Sequence, residues 1–126
     1  MEEIYVTRSK TVAANTVGRI TIAPPTATAK WRLKSLSITL NEAIATDATD
    51  FVELTPKKAS TSLAVVKSTV AASIAQGVTH PYVITGVGDD LECTQAAPHF
   101  LLIDATPGAG KLADVELLAV YSQMVG

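Results

Sequence analysis

A chain of 126 residues with a formal net charge of −2 is long enough to bury a core of its own, and the charge singles out no partner. At 48% hydrophobic and 17% charged residues it is not a disordered tail. Its single cysteine excludes an internal disulfide. Alanine and threonine together supply 35 residues against 5% aromatics, so most apolar side chains are small and each buries little area. Such a chain gains if subunits share a core. Residues 1–67 hold nine Lys/Arg against six Asp/Glu, and residues 68–126 one against six, an asymmetry that can complement a neighbour or be scattered solvated charge. The start, Met1-Glu2-Glu3, has neither the basic nor the apolar region of a signal peptide, and no apolar run is long enough to span a bilayer. The expectation is a single soluble domain over residues 1–126, made in a cytoplasm.

The elements read as short strands separated by turn residues, the pattern of an all-β sandwich. Ile4–Thr7 and Val17–Ala23 are the first two, the second stopped by Pro24-Pro25. Lys30–Leu40 is the clearest strand, with a change of phase inside it. Trp31 and Leu33 share one parity, whereas Leu36, Ile38 and Leu40 share the other, so the inward face must switch between Leu33 and Leu36. Either a β-bulge does this, or the strand leaves its own core to meet a partner subunit. Asn41–Thr49 reads as a loop and Phe51–Thr55 as a strand stopped by Pro56, with a turn and then a strand at Leu63–Lys67. Val70, Ala71 and Ile74 before Gly77 fit a short helix with a glycine stop, or irregular chain. Tyr82–Thr85, Leu91–Thr94, Phe100–Ile103 and Val115–Ser122 complete eight or nine strands.

Candidate chemistry is thin. Pro107-Gly108-Ala109-Gly110-Lys111 resembles the end of a phosphate-binding loop, but Ala105 and Leu112 stand where Gly and Ser/Thr are needed, and a strand follows instead of a helix. It reads as a hairpin turn. Gly86-Val87-Gly88 lacks the third glycine of a dinucleotide fingerprint and also reads as a turn. Asp89, Asp90 and Glu92, or Asp47 and Asp50, could offer oxygens to calcium but lack the spacing of a calcium loop. Cys93 shares the parity of Leu91 and should point inward as a small apolar residue. His80 and His99 flank prolines at loop–strand junctions and form no regular metal set with Cys93. No glycine-flanked serine elbow is present. Lys30, Arg32 and Lys34 make a basic row, yet the one tryptophan fits the core better than an exposed nucleic-acid stacking platform. No catalytic, cofactor-binding or metal-binding residue is assigned, no cofactor is expected, and the chain is not expected to be an enzyme.

Three stretches carry a resemblance: Trp31-Arg32-Leu33-Lys34-Ser35-Leu36-Ser37-Ile38; the Ala/Thr-rich span Ser62 to Thr85 ending in Pro81-Tyr82-Val83-Ile84; and Gly88-Asp89-Asp90-Leu91-Glu92-Cys93 with Gly110-Lys111-Leu112-Ala113-Asp114-Val115-Glu116-Leu117, closing on Val120-Tyr121. From about Lys30 to Tyr121 the pattern resembles the small jelly-roll virion proteins of tailed bacteriophages, of the head decoration (cement) or head-fibre type. It rests on pattern and composition, with no diagnostic motif. The resemblance implies a jelly-roll β-sandwich, commonly trimeric, that sits on the capsid surface, contacts the major capsid protein lattice and strengthens it, without membrane or direct nucleic-acid contact. Residues 1–23 would then be an N-terminal arm or edge segment for neighbouring subunits or capsid. The alternative is a tail-fibre or receptor-binding sandwich for a host-surface ligand. A further alternative, a small enzyme or ligand carrier, would need a deep pocket. Burial of Trp31, Tyr5, Tyr82 and Tyr121 would favour the scaffold; exposed aromatics would favour sugar binding.

Overall fold

A computed structural model describes residues 3–108 and 110–124. Ten strands follow in chain order: β1 (Glu3–Val12), β2 (Val17–Ile22), β3 (Trp31–Leu40), β4 (Glu53–Lys58), β5 (Thr61–Ser62), β6 (Lys67–Ser68), β7 (His80–Pro81), β8 (Glu92–Cys93), β9 (His99–Asp104) and β10 (Ala113–Gln123). They form two antiparallel sheets. One has the order β1-β10-β3-β7, with β8 also on β3; the other is β2-β9-β4-β5, with β6 also on β4. Counting β5 with β6 and β7 with β8 leaves eight strands. First then pairs with last, second with last but one, third with sixth and fourth with fifth. A ribbon rolled up in this way is a jelly-roll sandwich, the expected fold class.

The core lies between the sheets and follows strand parity. On β10, Ala113, Val115, Leu117, Ala119 and Tyr121 are buried, and on β9 Leu101 and Ile103 answer them from the other sheet. Each fully buried Leu or Ile contributes about 1.5–3 kcal/mol. Tyr121 is the largest wholly buried side chain, packed against Trp31 with ring centroids 5.6 Å apart.

The change of phase in β3 is a bulge. Val120 pairs with Ser35 and Tyr121 with Leu33, so Lys34 is the extra residue on β3. Leu33 and Leu36 both face the core, while Lys34 is turned out to meet Glu3 Oε2 at 2.7 Å. No partner subunit is needed to explain the switch.

Residues 3–22 occupy one edge of both sheets: β1 pairs with β10 and β2 with β9, and Val6, Val12, Ile20 and Ile22 belong to the core. Arg8 and Lys10 share a strand parity with Val6 and Val12, yet stay exposed at the open rim.

Several local expectations need correction. Pro56 does not end its strand. Its carbonyl accepts from Leu63 N at 2.8 Å, so its nitrogen faces the same side, where the neighbouring strand is broken into β5 and β6 and no ladder donor is missed. Leu63–Lys67 and Tyr82–Thr85 are not full strands but are joined by an Ala64–Ile84 bridge. Of the two readings of residues 68–76, a short helix or irregular chain, the second holds beyond Ser68, which ends β6: Thr69 Oγ1 accepts from Val52 N, and Ile74 exchanges both backbone hydrogen bonds with Ile44. A short 3-10 turn instead spans Gly88–Leu91, ahead of β8. The connection from Asp104 to Ala113 is no hairpin, because β9 and β10 lie in different sheets. Ala109, within the phosphate-loop-like stretch, lies outside the described residues.

Candidate functional site

Most chemically capable side chains are occupied in holding the fold. Cys93 is fully buried and its thiol donates to Ile22 O at 3.1 Å, and burial pushes its pKa up. It points inward as its parity implied. His99, only 2% exposed, is fixed on both sides: Nε2–H donates to Asp90 O at 3.0 Å, and Nδ1 accepts from the Tyr121 hydroxyl at 2.9 Å. A carbonyl can only accept, which sets the neutral ring with its hydrogen on Nε2. Burial lowers the His99 pKa to about 4 and raises that of Tyr121. His80 lies apart on β7, its Nε2 3.1 Å from Ala75 O.

The acids behave likewise. Asp47 Oδ1 accepts from Thr49 N and Asp50 N at 2.9 and 3.0 Å, which closes its own loop and holds its carboxyl below the usual range. Asp89 and Asp90 sit in the 3-10 turn, where it is their main-chain carbonyls, not their carboxylates, that receive Lys58 Nζ and His99 Nε2. Among the described residues no three His, Cys, Asp or Glu side chains converge as metal ligands would.

The basic row is not a free strip. Lys30 pairs with Glu92 at 3.4 Å, Lys34 with Glu3, and Arg32 donates to Gly88 O at 3.4 Å. Lys34 and Glu3 shift each other as an ion pair does, the lysine upward and the carboxyl downward. Trp31 is half-buried against the core. Of the other three aromatics singled out in the sequence, Tyr82 and Tyr121 are buried, and Tyr82 donates its hydroxyl to Leu54 O. Tyr5 alone is open, at 67% exposure.

Two features of the surface stand out. Among the described residues, six of the ten exposed large apolar side chains are valines between Val65 and Val87 in the sequence. Val65 and Val83 are joined there by a backbone hydrogen bond of 2.9 Å. The other feature is a groove of about 330 Å³ on the outer face of the first sheet, among Thr7, Ser9, Ser37, Thr39, Glu116 and Leu118. Sequence reading missed the groove because most of its lining is the outward half of three ordinary alternating strands, joined by Arg8 and Thr79. Only pairing register brings them together.

The fold is a jelly-roll β-sandwich, and Cys93, His99, Tyr82 and Tyr121 are hydrogen-bonded within its core. Compared with known protein families, curated proteins and solved structures, the chain matches none. No helix among the described residues is long and apolar enough to cross a membrane.

Proposed function

We propose that the chain is a non-enzymatic structural protein of a tailed-phage virion, a decoration protein that binds the outer capsid surface as a homotrimer. The observation that carries this reading is the use made of its chemical groups. Cys93, His99, Tyr82 and Tyr121 are buried in hydrogen bonds that hold the sandwich, and Asp47, Lys30 and Lys34 are tied up locally. A protein built in this way works by contact. The jelly-roll topology agrees with what the resemblance implies, and the exposed valines between Val65 and Val87 supply apolar area for a neighbour.

The test is solution mass by light scattering, repeated with undecorated capsids. The reading requires three copies of a 13.2 kDa chain and saturable co-sedimentation. A monomer that leaves capsids bare overturns it.

A further inference from the structure

The outer face of the first sheet is a grid set by its register. Across β1, β10 and β3 the rows run Thr11–Asp114–Asn41, Ser9–Glu116–Thr39, Thr7–Leu118–Ser37 and Tyr5–Val120–Ser35. Neighbours in a row stand about 4.8 Å apart and successive rows about 7 Å. The first two rows have the same design, a carboxylate between two polar side chains, but different outcomes. Asp114 Oδ1 accepts from Thr11 Oγ1 at 3.3 Å and from Asn41 Nδ2 at 3.2 Å. Glu116, one row on, meets no such donor among the described residues and stands exposed in the groove, with Ser9 and Thr39 at its sides.

We propose that this groove binds a neutral saccharide. Glu116 is acceptor-only and can take two sugar hydroxyls at once, while Ser9, Thr39, Thr7 and Ser37 can each donate or accept. Leu118, 37% exposed between Thr7 and Ser37, gives the apolar face of a sugar ring a floor. The volume lies at the lower end for a small-ligand site. Other ligands fit less well. An anion meets the Glu116 charge, and Arg8, which also lines the groove, already donates from its guanidinium to Thr7 O at 2.8 Å. A metal ion finds one carboxylate. A protein partner would need an apolar centre, and a groove whose one exposed apolar side chain is Leu118 does not offer it. The inference goes beyond the capsid-binding proposal and is independent of it, because the capsid assay does not read this groove.

The experiment is an amide-resolved NMR titration of the labelled full chain with neutral tetrasaccharides of glucose, galactose, mannose and N-acetylglucosamine. An open groove of this size predicts a dissociation constant of roughly 1 mM, so the titration runs to roughly 10 mM. At least one sugar is expected to move the amides of residues 7–9, 37–39 and 116–118 in a saturable way. Glu116→Gln keeps the shape, replaces an acceptor by a donor and should weaken binding about tenfold. Asp114→Asn, one row away, should leave it unchanged. The spectrum of each variant reports its fold directly. No shifts at these amides with any of the four sugars, or binding that survives Glu116→Gln, overturns the proposal. Tighter binding of an anionic sugar than of its neutral parent does so too.

Discussion

Lowering the pH should strain this fold chiefly through His99. The ring is 2% exposed and neutral, with Nδ1 accepting from Tyr121 and Nε2–H donating to Asp90 O, and its pKa is lowered from 6.5 to about 4. The unfolded chain therefore binds a proton between pH 6.5 and 4 that the folded chain refuses, so stability falls as pH falls through that window. Each pH unit costs up to about 1.4 kcal/mol, or about 3 kcal/mol over the window. Lys58 adds repulsion against the charged ring, while Tyr121 and Cys93 stay neutral there. The non-titrating variant His99→Gln isolates the effect from carboxylates that titrate nearby. At pH 7.5 it should be less stable than the parent by about 1–3 kcal/mol, since buried partners lose good hydrogen bonds. Urea unfolding at pH 7.5, 5.5 and 4.5 should then show the gap closing as the parent loses its advantage. A gap that stays constant down to pH 4.5 would refute the reasoning.

Deleting Lys34 removes the bulge and drives either Trp31 and Leu33, or Leu36, Ile38 and Leu40, to the wrong face. At about 1.5–3 kcal/mol per buried side chain this should abolish soluble, cooperatively unfolding protein, while Lys34→Ala keeps the register and should fold normally by circular dichroism. Gly18→Ala places a methyl 2.6 Å from Val12 Cγ2 and should cost about 1–3 kcal/mol in urea unfolding. Gly77→Asn is the contrasting case, with open space and a φ of +70° that asparagine tolerates, and should leave the unfolding midpoint nearly unchanged. Cys93 should resist a thiol reagent in native buffer and react fully in denaturant; rapid labelling of the native chain would contradict its burial.

Parity carried much of the fold. Alternation placed β10, and the clash of phases between Leu33 and Leu36 located the switch in β3; that the switch is a bulge and not a contact with a partner subunit follows from the pairing register. Where the reading failed, pairing partners decided the outcome. Pro56 continues β4 because its neighbour is interrupted between Ser62 and Lys67, and which residues stand opposite the proline is set by pairing. Ile74 fits a helical face by spacing, but as the one buried apolar side chain between Thr69 and Gly77 it is better satisfied by bridging Ile44. His99 shares the parity of Leu101 and Ile103, which was the available signal for its burial; the Tyr121 hydroxyl that makes it tolerable lies 22 residues away. The groove was invisible for a similar reason, since Ser9, Glu116 and Thr39 meet only through register.

The rim of β1 has one more consequence. A ten-residue strand with an open edge is a template on which further chains can add, and unchecked addition ends in fibres. Arg8 and Lys10 interrupt what would otherwise be an unbroken apolar inner row from Ile4 to Val12, so an incoming strand would have to bury two cations. The two cations that break the apolar row thereby guard this edge against open-ended strand addition.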